Sequence, residues 1–72
     1  MNTNLQGRQM SDLRMLRLPE VLNKTGLSRS GLYERIANGG FPEQVPLGGR
    51  LVAWVEDEVN EWLLERISLR KT

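Results

Sequence analysis

Histidine and cysteine are both absent from these 72 residues. Their absence removes the commonest general base, the thiol nucleophile and the soft ligands of most metal sites. It also removes any disulfide framework, so a chain of this length must hold itself together by packing alone. Such a small core leaves a net stability on the order of 3–5 kcal/mol. No apolar run approaches the roughly 18–20 residues of a membrane span, and the opening "MNTNLQGRQM" has no apolar stretch of the signal-peptide kind. These absences point to a small binding module of the cytoplasm. No enzyme, catalytic residue, cofactor or metal is expected.

The net charge is only +1, but it is unevenly spread. Residues 1–50 carry seven Lys/Arg against four acids, and residues 51–72 carry three against five. All five of the latter acids lie between Glu56 and Glu65. A basic front half facing an acidic back half permits an anionic partner on one side. The Glu56–Glu65 acids are read as a solvated helix face, and Trp54 and Trp62 as core residues.

Residues 1–11 are polar and aperiodic and read as a disordered lead-in, leaving 12–72 as one domain. "MLRL", Met15 to Leu18, has the pattern of a short strand. Pro19 suits the first position of a helix, where its missing N–H costs nothing. That helix runs to Lys24 or Thr25 and is closed by Gly26 at the left-handed C′ position. Two residues later Ser28 is placed to cap a second helix, with Leu27 and Leu32 at the spacing of a hydrophobic staple. Gly31 occupies the position where Glu or Gln would complete a capping box. Gly39-Gly40 ends this helix by Asn38. Two helices joined by so short a link form a helix-turn-helix.

"QVPLGGRLVAW" then sets two β-leaning runs around Gly48-Gly49, a hairpin signal in which Pro46 restricts its strand to an edge. Val55, Val59, Trp62, Leu63 and Ile67 make one apolar stripe on a last helix. Its acids crowd the first turn and its bases the end, as the helix dipole favours. The expected architecture is mainly α with a small β-hairpin wing, a winged helix-turn-helix.

On the second helix Leu32 and Ile36 mark the buried edge, while Ser30, Tyr33, Glu34 and Ala37 share the opposite face and Arg29 stands on its boundary. Arg pairs bidentately with guanine in a major groove. Ser28 and Ser30 hydroxyls and first-turn N–H groups suit phosphate. Tyr33 can stack on sugar or donate to phosphate, and Glu34 can accept from a cytosine amino group. At the wing, Gly49 permits a tight tip and close approach, beside which Arg50 reaches phosphate or a minor groove. Each feature also has a plain structural account: a helix cap for Ser28, a solvated charge for Arg29, a half-buried ring for Tyr33, a turn for Gly48-Gly49. The DNA reading draws its weight from their conjunction in one motif order.

The segments "LRLPEV", "TGLSRSGLYERI", "GFP", "LGGR" and "AWVEDEVNEWL" together resemble the AlpA family of phage and prophage transcriptional regulators. These are small winged-helix proteins related to MerR-type and excisionase DNA-binding domains. The resemblance runs from about Met15 to Ile67. It implies sequence-specific binding of double-stranded DNA, with the helix of about 28–38 in the major groove and the wing of about 45–54 on the backbone or minor groove. Carried over by position, it points to Ser28, Arg29, Ser30, Tyr33 and Arg50. Gly31 stands where the family often has Thr, and Glu34 and Asn38 where basic residues are common. Fewer positive charges imply fewer phosphate contacts and a shallower salt dependence.

The expected function is a DNA-binding transcriptional regulator of a phage, prophage or related mobile element, associated with the nucleoid when bound. A domain this small covers few base pairs, so self-association, cooperative binding or a partner protein is implied. Two other readings stay open: an excisionase-type architectural factor directing site-specific recombination, and a protein-binding adaptor that uses the acidic last helix.

Overall fold

A computed structural model describes residues 13–70; the expected lead-in, residues 1–11, lies outside the described residues. The elements run β1 (Met15–Leu16), α1 (Leu18–Thr25), α2 (Arg29–Ala37), β2 (Val45–Gly48), β3 (Leu51–Val55) and α3 (Glu56–Leu69). Three helices and a small antiparallel sheet in the order β1-β3-β2 make the winged helix-turn-helix expected from the sequence. No helix among the described residues is long and apolar enough to cross a membrane.

The first strand is shorter than "MLRL" suggests, because the helix takes Leu18 from it. The Arg17 N–H donates to Glu20 Oε1 at 2.9 Å, the reciprocal half of a capping box. Helix α1 therefore starts at Leu18, and Pro19 falls at its second position rather than its first. That costs nothing, since first-turn N–H groups have no intrahelical partner. At the other end Gly26 adopts φ 77° and its N–H donates to Leu22 O at 2.8 Å. The Thr25 hydroxyl donates to Val21 O at 2.8 Å and accepts from the Leu27 N–H at 3.2 Å, which ties the turn to the helix it leaves.

Helix α2 begins as its sequence predicts. Ser28 Oγ accepts from the Gly31 N–H at 3.1 Å. Leu32 is buried in the core and Leu27 packs against the same cluster, one on each side of the cap. Helix α2 stops at Ala37, and the Gly40 N–H donates back to Arg35 O at 2.7 Å.

The sheet is centred on β3. Strand β1 pairs with it through Met15↔Val55 and Leu16↔Trp54, and β2 through Val45↔Ala53, Pro46↔Val52 and Gly48↔Leu51. Pro46 lies on an edge strand, where its missing donor breaks no ladder. Leu47 is an extra residue on β2, a bulge between Pro46 and Gly48. Gly48 still pairs with Leu51, so the two-residue turn is Gly49-Arg50 rather than Gly48-Gly49. Gly48 at φ 120° and Gly49 at φ 57° supply the backbone that the bulge and turn need.

Leu16, Val21, Leu32, Phe41, Trp54 and Val59 form the buried core. The apolar stripe of α3 reaches it only in part. Val55 is the last residue of β3 and the N-cap of the helix, Val59 is fully buried, and Trp62 and Leu63 are half-buried. Ile67, expected on the stripe, is 50% exposed. A helix of 14 residues is about 21 Å long and outruns the small core that its first half covers.

The Ser28 cap is testable. Ser28→Ala should lower stability by about 1 kcal/mol, read as a shift in denaturant midpoint at unchanged slope; an unaltered midpoint would leave the staple as the sole determinant of where α2 begins.

Candidate nucleic-acid interface

The α2 surface is set by the cap and by Leu32. With Leu32 turned into the core and Ile36 half-buried behind it, Arg29, Ser30, Glu34 and Ala37 are exposed. Ser28, Arg29 and Ser30 therefore lie together at the start of the helix. Tyr33 is different. It is half-buried, and its ring meets Trp54 edge-on at 6.4 Å between centroids. Its position divides the residue between core and surface. Gly31 is close to the cap, since a Cβ there would stand 3.0 Å from Ser28 Oγ. A side chain at this position must displace the cap oxygen by a few tenths of an ångström.

The wing stands beside α2. Ile36 of α2 and Pro46 and Val52 of the hairpin line one shallow groove. On the other side, Val45 lines a second groove with Trp62, Glu58, Glu61 and Glu65 of α3. Successive strand residues point to opposite faces, so Val45 and Pro46 place α3 and α2 on opposite sides of the hairpin. The tip, Gly49-Arg50, is fully outside both grooves, and Arg50 is exposed.

The cations divide into two groups. Arg14 pairs with Glu20 at 3.6 Å and Lys24 with Glu56 at 3.7 Å. Arg17 Nε donates to Val52 O at 3.0 Å, and Arg35 reaches Gly31 O at 3.5 Å. Arg66 lies over the Trp62 ring, 5.6 Å from its centroid. Arg29, Arg50 and Arg70 have no such partner among the described residues. Two of these three are the guanidiniums singled out on the helix and on the wing. Glu43, Glu58, Glu61 and Glu65 ring the groove between residues 42–45 and α3, which no cation lines; Glu43 also lines the groove beside α2, and Glu34 is exposed on α2 itself.

A further structural element fixes the spacing between helix and wing. The Trp62 indole N–H donates to Gly40 O at 2.6 Å, and its ring meets Phe41 edge-on at 4.9 Å. The Trp54 indole N–H donates to Pro42 O at 3.1 Å. Two tryptophans thus hold the 40–42 segment that leads from α2 to the wing. Sequence reasoning assigned both rings to packing and missed this positioning role; the donor on each ring was the available signal, since a buried indole N–H requires an acceptor. Among the described residues no group of carboxylates is arranged to hold a metal ion.

The model of the prophage CP4-57 regulatory protein (AlpA) family matches residues 14–67. The ORF88 protein of Enterobacteria phage P4 is 55% identical over 58 residues, which cover 81% of this chain and 66% of that protein. The DNA-binding transcriptional activator AlpA of Escherichia coli K12 is 38% identical over 65 residues, covering 82% of this chain and 93% of the relative. No solved structure matches. With the family pattern running from Arg14 through the helix-turn-helix and the wing to Ile67 of α3, this protein belongs to the AlpA family of prophage regulatory proteins.

Proposed function

We propose that this chain is a sequence-specific DNA-binding transcriptional regulator of a phage, prophage or related mobile element. Helix α2 enters the major groove, and the wing lies on the backbone or in the adjacent minor groove. The observation that carries this reading is the division of the cations. Among the described residues, the cations away from α2 and the wing tip are engaged by carboxylates, carbonyls or an aromatic face, with Arg70 at the end of α3 the exception, whereas Arg29 and Arg50 are exposed and unengaged. An arginine already paired within the protein must give up that partner to bind phosphate or guanine. Arg29 and Arg50 have nothing to give up. The relative from Escherichia coli, named a DNA-binding transcriptional activator, agrees with this reading.

The roles follow from chemistry and position. Arg29 reads base edges, guanine in particular, through its planar fork. Ser28 and Ser30 lie at the helix N-terminus, where free N–H groups and the dipole favour phosphate. Ser28 Oγ is already an acceptor for the Gly31 N–H, so it has its hydroxyl proton left to donate. Tyr33, held by Trp54, presents its phenolic edge, and Glu34 selects against phosphate or accepts from a cytosine amino group. Gly49 allows close approach and Arg50 anchors the wing. The carboxylates around the α3 groove repel the duplex from that side and so favour a single docking face. Short reach on DNA is compensated by pairing or cooperative binding at repeated sites.

Selection of bound sequences from a random duplex pool should return one short motif; a pool that stays random after several rounds would sink the reading of a sequence-specific regulator. On the selected duplex, Arg29→Ala should cost about 1–3 kcal/mol and relax base choice at one position. Equal weakening on all sequences would instead put Arg29 on phosphate. Arg50→Ala should weaken all duplexes alike and reduce the slope of log K against log salt by about one, and an unchanged slope would remove the wing cation from the interface.

A further inference from the structure

Two leucines flank the tip of the wing. Leu47, the extra residue of the β2 bulge, is 49% exposed, and Leu51, which opens β3, is 51% exposed. Neither belongs to the core cluster nor packs against it. A single half-exposed leucine is ordinary on a protein surface. Here two of them bracket Gly48, Gly49 and the unengaged Arg50 within five consecutive residues. The result is a narrow tip with a cation at its end and an apolar side chain behind it on each strand.

That composition has a specific complement. The minor groove of B-DNA is about 6 Å wide, its walls are deoxyribose rings, and its floor and rims are negative. A two-residue turn entering such a slot has a wall on each side. Residues immediately behind the turn then meet sugar, whichever face of the hairpin they occupy. The bulge contributes as well, because it displaces one residue from the ladder and increases local twist. Apolar side chains of other proteins enter the minor groove too, where they wedge between base steps.

We infer that Leu47 and Leu51 are DNA-contacting residues, resting as apolar flanks against the deoxyribose walls of the minor groove on either side of Arg50. The inference rests on the DNA-binding reading above. It divides the wing's contribution into two physically different parts. Arg50 supplies a salt-dependent part, by displacing counterions. The leucines supply a salt-independent part, by removing apolar surface from water.

The full chain and a duplex recovered from the random pool provide the test. The double variant Leu47→Thr/Leu51→Thr places β-branched, strand-compatible residues at both positions. It should raise Kd about tenfold while the salt slope stays that of the parent. Hydroxyl-radical footprinting, which attacks deoxyribose from the minor groove, should show protection beneath the wing in the parent and its loss in the variant. The variant Leu47→Met/Leu51→Met retains apolar contact and should return Kd to within about twofold of the parent. Unchanged affinity or footprint in the threonine variant overturns the inference. So does an equal loss in the methionine variant, because that loss would not be apolar in origin. A parent chain that binds no duplex at all overturns the regulator reading itself, an outcome visible before any variant is made.

Discussion

The burial of Trp54 is the constraint on which the rest of this small structure depends. The residue is wholly inaccessible and sits on the central strand of the sheet. Its backbone pairs with Leu16 of β1, its ring meets Tyr33 of α2, and its indole N–H is satisfied by Pro42 O in the segment that leads to the wing. One side chain thus joins the sheet, helix α2 and their connection. Removing a buried tryptophan costs about 3–5 kcal/mol, as much as the whole net stability expected of a single core this size. Without cysteines, no disulfide can replace it.

Trp62 extends the same logic to the surface. Its N–H holds Gly40 O and its ring packs on Phe41, so α3 secures the 40–42 segment as well. The segment opens on the second glycine of Gly39-Gly40, whose backbone loses more entropy on ordering than that of other residues. Two indole N–H donors on two elements convert it into a fixed spacer. The distance between Arg29 on α2 and Arg50 on the wing is therefore set by the core, not by the residues that would touch DNA. This is the usual relation between a rigid scaffold and exposed functional groups.

Electrostatics then distinguish the two sides of the hairpin. Pro46 and Val52 face α2, whereas Val45 faces the carboxylates of α3. The near-zero net charge conceals an acidic groove beside α3 that no cation lines. A modest cation count suffices when intramolecular pairs absorb Arg14 and Lys24 and leave Arg29 and Arg50 unengaged among the described residues.

Local chemistry was legible in the sequence wherever a few adjacent residues decide it. Gly26 stops α1, Ser28 caps α2 and Pro46 confines β2 to an edge, each through its own backbone or side-chain geometry. The register of the hairpin was not legible: the Leu47 bulge moved the turn by one residue, because strand pairing depends on both strands at once. Nor was the pairing of β1 with β3, which joins residues far apart in the chain, or the start of α1, where Glu20 caps an arginine rather than the Ser or Thr that marks a capping box. The apolar period of α3 announced a stripe through Ile67, but periodicity says nothing about where the partner surface ends. For the site, the sequence by itself determined which groups are available: the guanidiniums, the hydroxyls and the glycines at the tip. Only tertiary structure decided which arginines are engaged internally and which are left exposed. Engagement depends on neighbours brought close by folding, and no spacing within the chain encodes it.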